Sequence, residues 1–171
     1  MARPSRRATL LDAATSVIRR DGATALTLDA VAAQAGVSKG GVLYHFATKR
    51  ALIDGLISRW LDDFAAQLEE ENFAAAYVRA CDLSTADAEA EVGLLAGMLE
   101  EPEVLEVARE RYAEWMDRIL GDVRDPADAW LLRLAADGLW YSDLLGIAAP
   151  RGDDRRRLIE RLLALADGGS G

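Results

Sequence analysis

The chain has 171 residues, 51% of them apolar, with one cysteine, one histidine and a formal net charge of −9. It holds no uninterrupted apolar run long enough for a membrane-spanning helix, which takes about 20 residues, and one cysteine excludes an internal disulfide. The charge is partitioned: residues 1–60 carry nine Lys or Arg against four Asp or Glu (+5), and residues 61–171 carry eleven against twenty-five (−14), so one end of an acidic chain is suited to meet a polyanion.

The N-terminal MARPSRRATLL is basic but lacks the apolar stretch of a secretion signal, and a soluble, cytoplasmic protein is expected. A first helix is expected from about Ser5 to Asp21, with Leu10, Ala14 and Val17 inward and Gly22 as its stop. Two short helical patterns follow. Leu28 to Ala35 places Val31 and Ala35 on one face and is broken by Gly36; the second starts at Ser38 and runs to about His45. A short helix, a glycine turn and a helix with a polar start form the pattern of a helix-turn-helix, whose second helix enters the DNA major groove.

The residues of that second helix suit the task. Ser38 stands at the N-cap, where a hydroxyl satisfies free backbone N–H groups and where anions are attracted. Lys39 follows at the tip, and Lys39 and Lys49 are the only two lysines in the chain. Gly40 and Gly41 each cost a helix roughly 1 kcal/mol relative to alanine, which is explained by close backbone approach to the groove floor or, more blandly, by a loose turn. Tyr44 and His45 supply hydrogen-bonding tips, whereas Val42, Leu43 and Phe46 are expected to pack inward. Thr48 reads as the N-cap of a fourth helix, placing Lys49 and Arg50 in its first turn. Cations there oppose the helix dipole unless a phosphate lies nearby.

The fourth helix is expected to run to about Glu70, with Leu52, Leu56, Trp60, Phe64 and Leu68 every four residues. A short helix over Asn72–Leu83 carries Phe73, Tyr77 and Cys81, the last expected to be a small buried core residue. Ser84 with Asp87 starts another helix in capping-box fashion; it carries Val92, Leu95 and Leu99 and ends near Pro102. Leu105, Ala108, Tyr112, Trp115 and Ile119 then mark an amphipathic helix of about five turns. Asp125-Pro126 opens a helix expected to reach Ala149, and a last one carries Leu158, Ile159, Leu162, Leu163 and Leu165. The fold class is all-α: a three-helix helix-turn-helix head (residues 1–50) followed by a helical bundle for ligand binding and dimerisation (51–171), about nine helices in all.

The head resembles the TetR family of bacterial transcriptional regulators. The matching residues are Leu26-Thr27, Val31-Ala32, Ala35-Gly36-Val37-Ser38, His45-Phe46, Lys49 and Leu52, covering about residues 5–55. One departure stands out: where the family usually has a tyrosine two positions before the His this chain has Leu43, and its tyrosine is Tyr44. The resemblance implies a homodimer that binds double-stranded operator DNA through Thr27, Ser38, Lys39, Gly40, Gly41, Tyr44, His45, Thr48 and Lys49. It further implies a repressor that releases a palindromic operator when a small molecule binds the C-terminal part, and pairing of the last two helices with their copies. Independently, Ala135, Gly138 and Ser142 form a small-residue stripe flanked by Leu131 and Leu145, which suits close contact with another helix, within the chain or across a dimer.

The candidate lining for an effector is Trp60, Phe64, Tyr77, Tyr112, Trp115, Trp130, Trp140 and Tyr141, with Phe73 beside them; aromatic stripes at helical spacing also serve as plain core. Asp137 shares a helix face with Trp130, Leu134, Tyr141 and Leu144. A carboxylate among aromatics is costly to bury unpaired, so it faces a cationic or aromatic effector, pairs with Arg133, or reaches solvent. The Arg155–Arg157 run follows two aspartates and is expected to be solvated or at a dimer edge. An enzyme is disfavoured. The only histidine, His45, lies in the DNA-reading helix, no zinc set or Cys/His pair can be assembled, and neither a G-x-S-x-G nor a Walker-type phosphate loop occurs. No metal or cofactor is expected. The rival readings are a ligand-blind DNA binder and, further off, a helical-bundle enzyme.

Overall fold

The computed structural model describes residues 5–68, 72–82 and 105–168, and among them every regular element is a helix. Among these residues there are eight α-helices: α1 Arg6–Asp21, α2 Leu28–Ala35, α3 Lys39–Leu43, α4 Lys49–Ala65, α5 Phe73–Cys81, α6 Leu105–Asp122, α7 Pro126–Leu145 and α8 Gly152–Ala166. The helix expected around Val92, Leu95 and Leu99, its Ser84–Asp87 start and Leu83 lie outside the described residues. The described chain forms two compact units, one of residues 5–60 with 105–108 and one of the remainder.

The first unit is built from side-chain caps and an apolar interior. Ser5, Thr27 and Ser38 cap α1, α2 and α3, their hydroxyls accepting from the backbone N–H of Ala8, Ala30 and Gly41; each such cap is worth about 1 kcal/mol. Gly36 closes α2 in the left-handed conformation (φ 66°), which a side chain with a Cβ adopts only at a cost. The core gathers Leu10, Leu11, Ala14, Val17, Ile18, Leu26, Val31, Val42, Phe46, Leu52, Leu56 and Ile57. Leu43, expected to pack inward, is 41% exposed: α3 is a single short turn, and the inward positions are taken by Val42 within it and Phe46 after it.

Two features pin α4 into this unit. Gly55 is buried, and a Cβ placed there would lie 2.8 Å from the Phe46 ring, 3.0 Å from the Arg7 guanidinium and 3.3 Å from Leu11. Only glycine allows so close an approach. Arg59 donates to Asp12 (2.6 Å) and to the Thr15 hydroxyl (2.8 Å), tying α4 to α1.

The second unit packs α5, α6, α7 and α8 around Leu61, Phe73, Tyr77, Val78, Trp115, Ile119, Leu132, Ala136, Leu139, Trp140 and Leu162. Asn72 caps α5 through Ala75 N–H and also donates to the carbonyl of Ala166, while Asp122 accepts from the backbone N–H of Ala74. The α5 start is thereby bound to the ends of α6 and α8. Helix α4 stops at Ala65 and continues only as a 3₁₀ turn over Ala66–Leu68. Helix α7 ends at Leu145 rather than near Ala149, because Gly146 takes the left-handed conformation (φ 65°). Arg155 is not solvated as expected. It donates to Asp82 through Nε (2.8 Å) and to both carboxylate oxygens of Asp143 (2.9 and 2.7 Å), which holds α8 against α7 and the end of α5.

Candidate DNA interface and regulatory core

The exposed edge of the head is formed by the start of α2, all of α3 except Val42, and the loop into α4. Thr27, Ser38, Lys39, Gly40, Gly41, Tyr44 and Thr48 are exposed there, and His45 and Lys49 are half-buried. All nine sequence-selected DNA residues therefore retain solvent contact. Tyr44 is 86% exposed, and its ring meets that of His45 edge-on at 5.0 Å. An aromatic ring so placed leaves its face open to a partner. Thr48 accepts from Ala51 N–H, so its hydroxyl is the expected cap of α4. Lys39 Nζ lies 2.9 Å from the Asp29 carboxylate of α2, both side chains exposed. Such a pair is worth about 0–1 kcal/mol, little enough for a phosphate or a base edge to compete for the ammonium.

Of the sequence-selected aromatics, the second unit brings four together. The Phe64 ring lies 5.6 Å from Tyr77 and 5.0 Å from Trp115; Tyr77 and Trp115 are 6.2 Å apart, and Tyr112 is 5.0 Å from Trp115. Asp137 joins this cluster from α7. It accepts from the Tyr77 hydroxyl (2.6 Å) and pairs with Arg133 (2.9 Å), whose guanidinium stands 5.2 Å over the Tyr112 ring. Of the three fates open to Asp137 in the sequence, the structure shows the pair with Arg133, and adds the Tyr77 hydroxyl, which no spacing rule could supply across 60 residues. Burial raises the Asp137 pKa above the ordinary carboxyl value, opposed by the Tyr77 hydrogen bond and by Arg133. Burial also raises Tyr77 and Tyr112, so both phenols stay neutral donors. Cys81 is buried, and its thiol is pushed up by desolvation and then by Asp137.

The remaining candidates divide. Trp140 is buried and meets Tyr141 at 4.8 Å. Trp130 and Tyr141 stand on the exposed side of α7 with Leu131, Leu134 and Leu145, so Trp130 lines no part of the aromatic core. Trp60 belongs to the first unit. On the same outer side Gly138 is exposed, and a Cβ there would meet nothing within 4 Å. Cavities among the described residues of the second unit include one of about 400 Å³ beside Asn72, Asp122 and Asp167 and one of about 550 Å³ beside Asp143, Pro150 and Arg155. Neither is lined by the aromatic cluster. Among the described residues no group of His, Cys, Asp or Glu is placed to hold a metal ion, and no helix is long and apolar enough to cross a membrane.

A capped helix-turn-helix with an exposed second helix, in a chain that also folds a separate helical unit with a charged aromatic centre, defines a DNA-binding regulator. Residues 10–56 match the tetR family of bacterial regulatory proteins, and residues 71–167 match the tetracyclin repressor-like C-terminal domain. The chain belongs to that family, whose members are DNA-binding transcription regulators rather than enzymes. No curated protein sequence matches it. Among solved structures, the multidrug binding protein EbrR complexed with ethidium is 28% identical, with 96% of this chain and 99% of that chain covered at a TM-score of 0.68. EbrR complexed with malachite green is 26% identical, covering 95% and 98% at a TM-score of 0.69. A TetR family member from Streptomyces coelicolor, SCO1917, is 26% identical, covering 95% and 98% at a TM-score of 0.68.

Proposed function

We propose that this regulator is a homodimeric repressor that holds a palindromic operator through α3 and releases it when an aromatic cation enters the second unit. The exposed α3 edge carries the DNA reading: Ser38, Lys39, the Gly40-Gly41 pair and Tyr44 all face solvent at the end of a helix-turn-helix. Phosphate contacts fall to Thr27, Ser38, Thr48 and Lys49, and base-edge contacts to Lys39, Tyr44 and His45. Residues 1–50 form the DNA-binding domain and 51–171 the ligand and dimerisation domain. The dimer forms through α7 and α8, where Leu131, Leu134, Gly138, Tyr141 and Leu145 leave an apolar stripe exposed; a C2 pairing of this stripe buries it against itself.

The effector class follows from Asp137, the carboxylate set beside Tyr77 and Tyr112. Carboxylate plus ring face is the chemistry that recognises an aromatic cation. Ethidium, malachite green and proflavin, the compounds bound in the EbrR structures, are of that class. Coupling between the two activities runs through α4, which buries Leu52 and Leu56 in the first unit and Leu61 in the second and sets Phe64 against Tyr77 and Trp115. Selection of bound duplexes from a random pool tests the DNA reading. A two-fold symmetric site bound by two chains is expected; a lone asymmetric half-site bound by one chain overturns it.

A further inference from the structure

Arg133 and Arg155 are both paired with aspartates inside the second unit, but in different ways. Arg155 is held by two carboxylates from separate elements, Asp82 and Asp143. Arg133 is held by one carboxylate on its own helix, Asp137, at i+4. Its guanidinium lies over the Tyr112 ring at 5.2 Å. A cation in contact with the Asp137 carboxylate on one side and an aromatic face on the other is the arrangement an aromatic cation would itself adopt. We propose that Arg133 is a tethered occupant of the effector site, and that an aromatic cation binds by displacing its guanidinium from Asp137 and Tyr112. This inference rests on the effector class proposed above and adds the residue that sets its affinity and selectivity.

Three further observations support displacement over simple addition. First, Asp137 is anchored independently of Arg133. Its other oxygen takes the Tyr77 hydroxyl at 2.6 Å, and Tyr77 is buried and held by Phe64 and Trp115. The carboxylate therefore stays in place when the guanidinium leaves. Second, Arg133 has a route to water: its side chain retains 23% exposure against 13% for Asp137, and its neighbours Trp130 and Leu134 lie on the exposed side of α7. Third, the charge count demands it. Among the described residues, the groups that interact with Asp137 are Tyr77 and Cys81 from α5, Tyr112 from α6, and Arg133 and Tyr141 from α7. Arg133 is the cation among them, so the pair is neutral as it stands. A second cation added beside Arg133 would leave net charge in a poorly solvated site, whereas exchange of one cation for another conserves it. A neutral ring offers nothing in return for the lost pair, so the site discriminates by charge.

The test is a fluorescence titration of the full chain with ethidium at pH 8, well above the ordinary carboxyl range, in the absence of DNA. Arg133→Gln and Arg133→Met remove the competitor and are expected to bind ethidium about 10-fold tighter than wild type. Asp137→Asn is expected to bind about 10-fold weaker or more. Combining Arg133→Gln with Asp137→Asn should bind no tighter than Asp137→Asn alone, since the competitor acts only through that carboxylate. Phenanthridine, the neutral parent ring, should gain nothing from loss of Arg133. Arg133→Lys preserves the charge and secures the comparison should the larger changes unfold the chain; its weaker hold on the ring should give a smaller gain in the same direction. If wild type binds ethidium but none of the folded Arg133 variants binds it more tightly, displacement is overturned and the effector class stands. If neither wild type nor any Arg133 variant binds ethidium, the effector class falls, and this inference with it.

Discussion

Replacing Gly40 and Gly41 together by alanine should raise stability and lower DNA affinity, an opposition of sign that a purely structural role cannot produce. Nothing inside the chain asks for glycine at these positions. Neither has a positive φ, and a Cβ at Gly40 would meet only the Ser38 hydroxyl, at 3.8 Å. At Gly41 it would meet the same oxygen at 3.6 Å and Val37 at 3.7 and 3.9 Å, ordinary contact distances. The Ser38 cap is kept, because its hydrogen bond comes from the Gly41 backbone N–H. In a helix interior alanine gains about 1 kcal/mol over glycine. In the first turn of a five-residue helix we take about half, or roughly 1 kcal/mol for the pair, which raises Tm by about 2–4 °C for a chain of this size. If α3 lies on the groove floor, two added methyl groups hold it away, and operator affinity should fall at least about 10-fold, or 1.4 kcal/mol. Differential scanning fluorimetry and fluorescence anisotropy on the selected operator give both numbers. A stabilised variant that binds the operator as wild type does would refute groove approach by this helix.

Lys49→Ala should weaken binding to all duplexes alike and lower the salt slope by about one unit, whereas Lys39→Ala should relax preference at one position per half-site; an unchanged selected site would make Lys39 a phosphate contact. Leu134, 57% exposed in the α7 stripe, should when changed to Glu convert a dimer to monomers in sedimentation analysis and abolish binding to the full palindrome; an unaltered dimer would place the interface elsewhere. Because burial raises the Asp137 pKa, the folded state holds that proton more tightly than the unfolded chain. Wild-type stability relative to Asp137→Asn should therefore fall as pH rises from about 3.9, the unfolded carboxyl value, through the raised native one, and level off above it. A difference that is flat or rises over that range contradicts the buried carboxyl.

The head was legible because its signals are local. Ser5, Thr27, Ser38 and Thr48 cap helices through backbone groups three residues away, and Gly36 stops α2 in the conformation glycine favours. Spacing along the chain is enough to find such features. Leu43 misled because apolar character alone does not say which side of a one-turn helix is already filled. At Gly55 the sequence does carry a signal, since a glycine inside an otherwise apolar helical run points to close packing. What the sequence could not give are the long-range partners. Tyr77 with Asp137, Arg59 with Asp12, and Arg155 with Asp82 and Asp143 join residues far apart in the chain, and no periodicity relates them. Trp130 and Tyr141 share a helical row with Asp137 in a wheel projection, yet both keep more than 40% exposure while the Asp137 side chain keeps 13%. They lie only about 20° and 40° from Asp137 around the helix at 3.6 residues per turn, too little for a wheel projection to tell the core position from the surface ones.

The central claim is that the aromatic cluster and the α3 edge are coupled, and reciprocal linkage tests it most directly. Tetraphenylphosphonium, an aromatic cation that does not intercalate, should be titrated calorimetrically into the protein alone and into its complex with the selected operator. Allosteric coupling of about 1–3 kcal/mol predicts that the cation binds 5- to 150-fold more weakly to the operator complex. Equal affinity for the two forms would contradict the account.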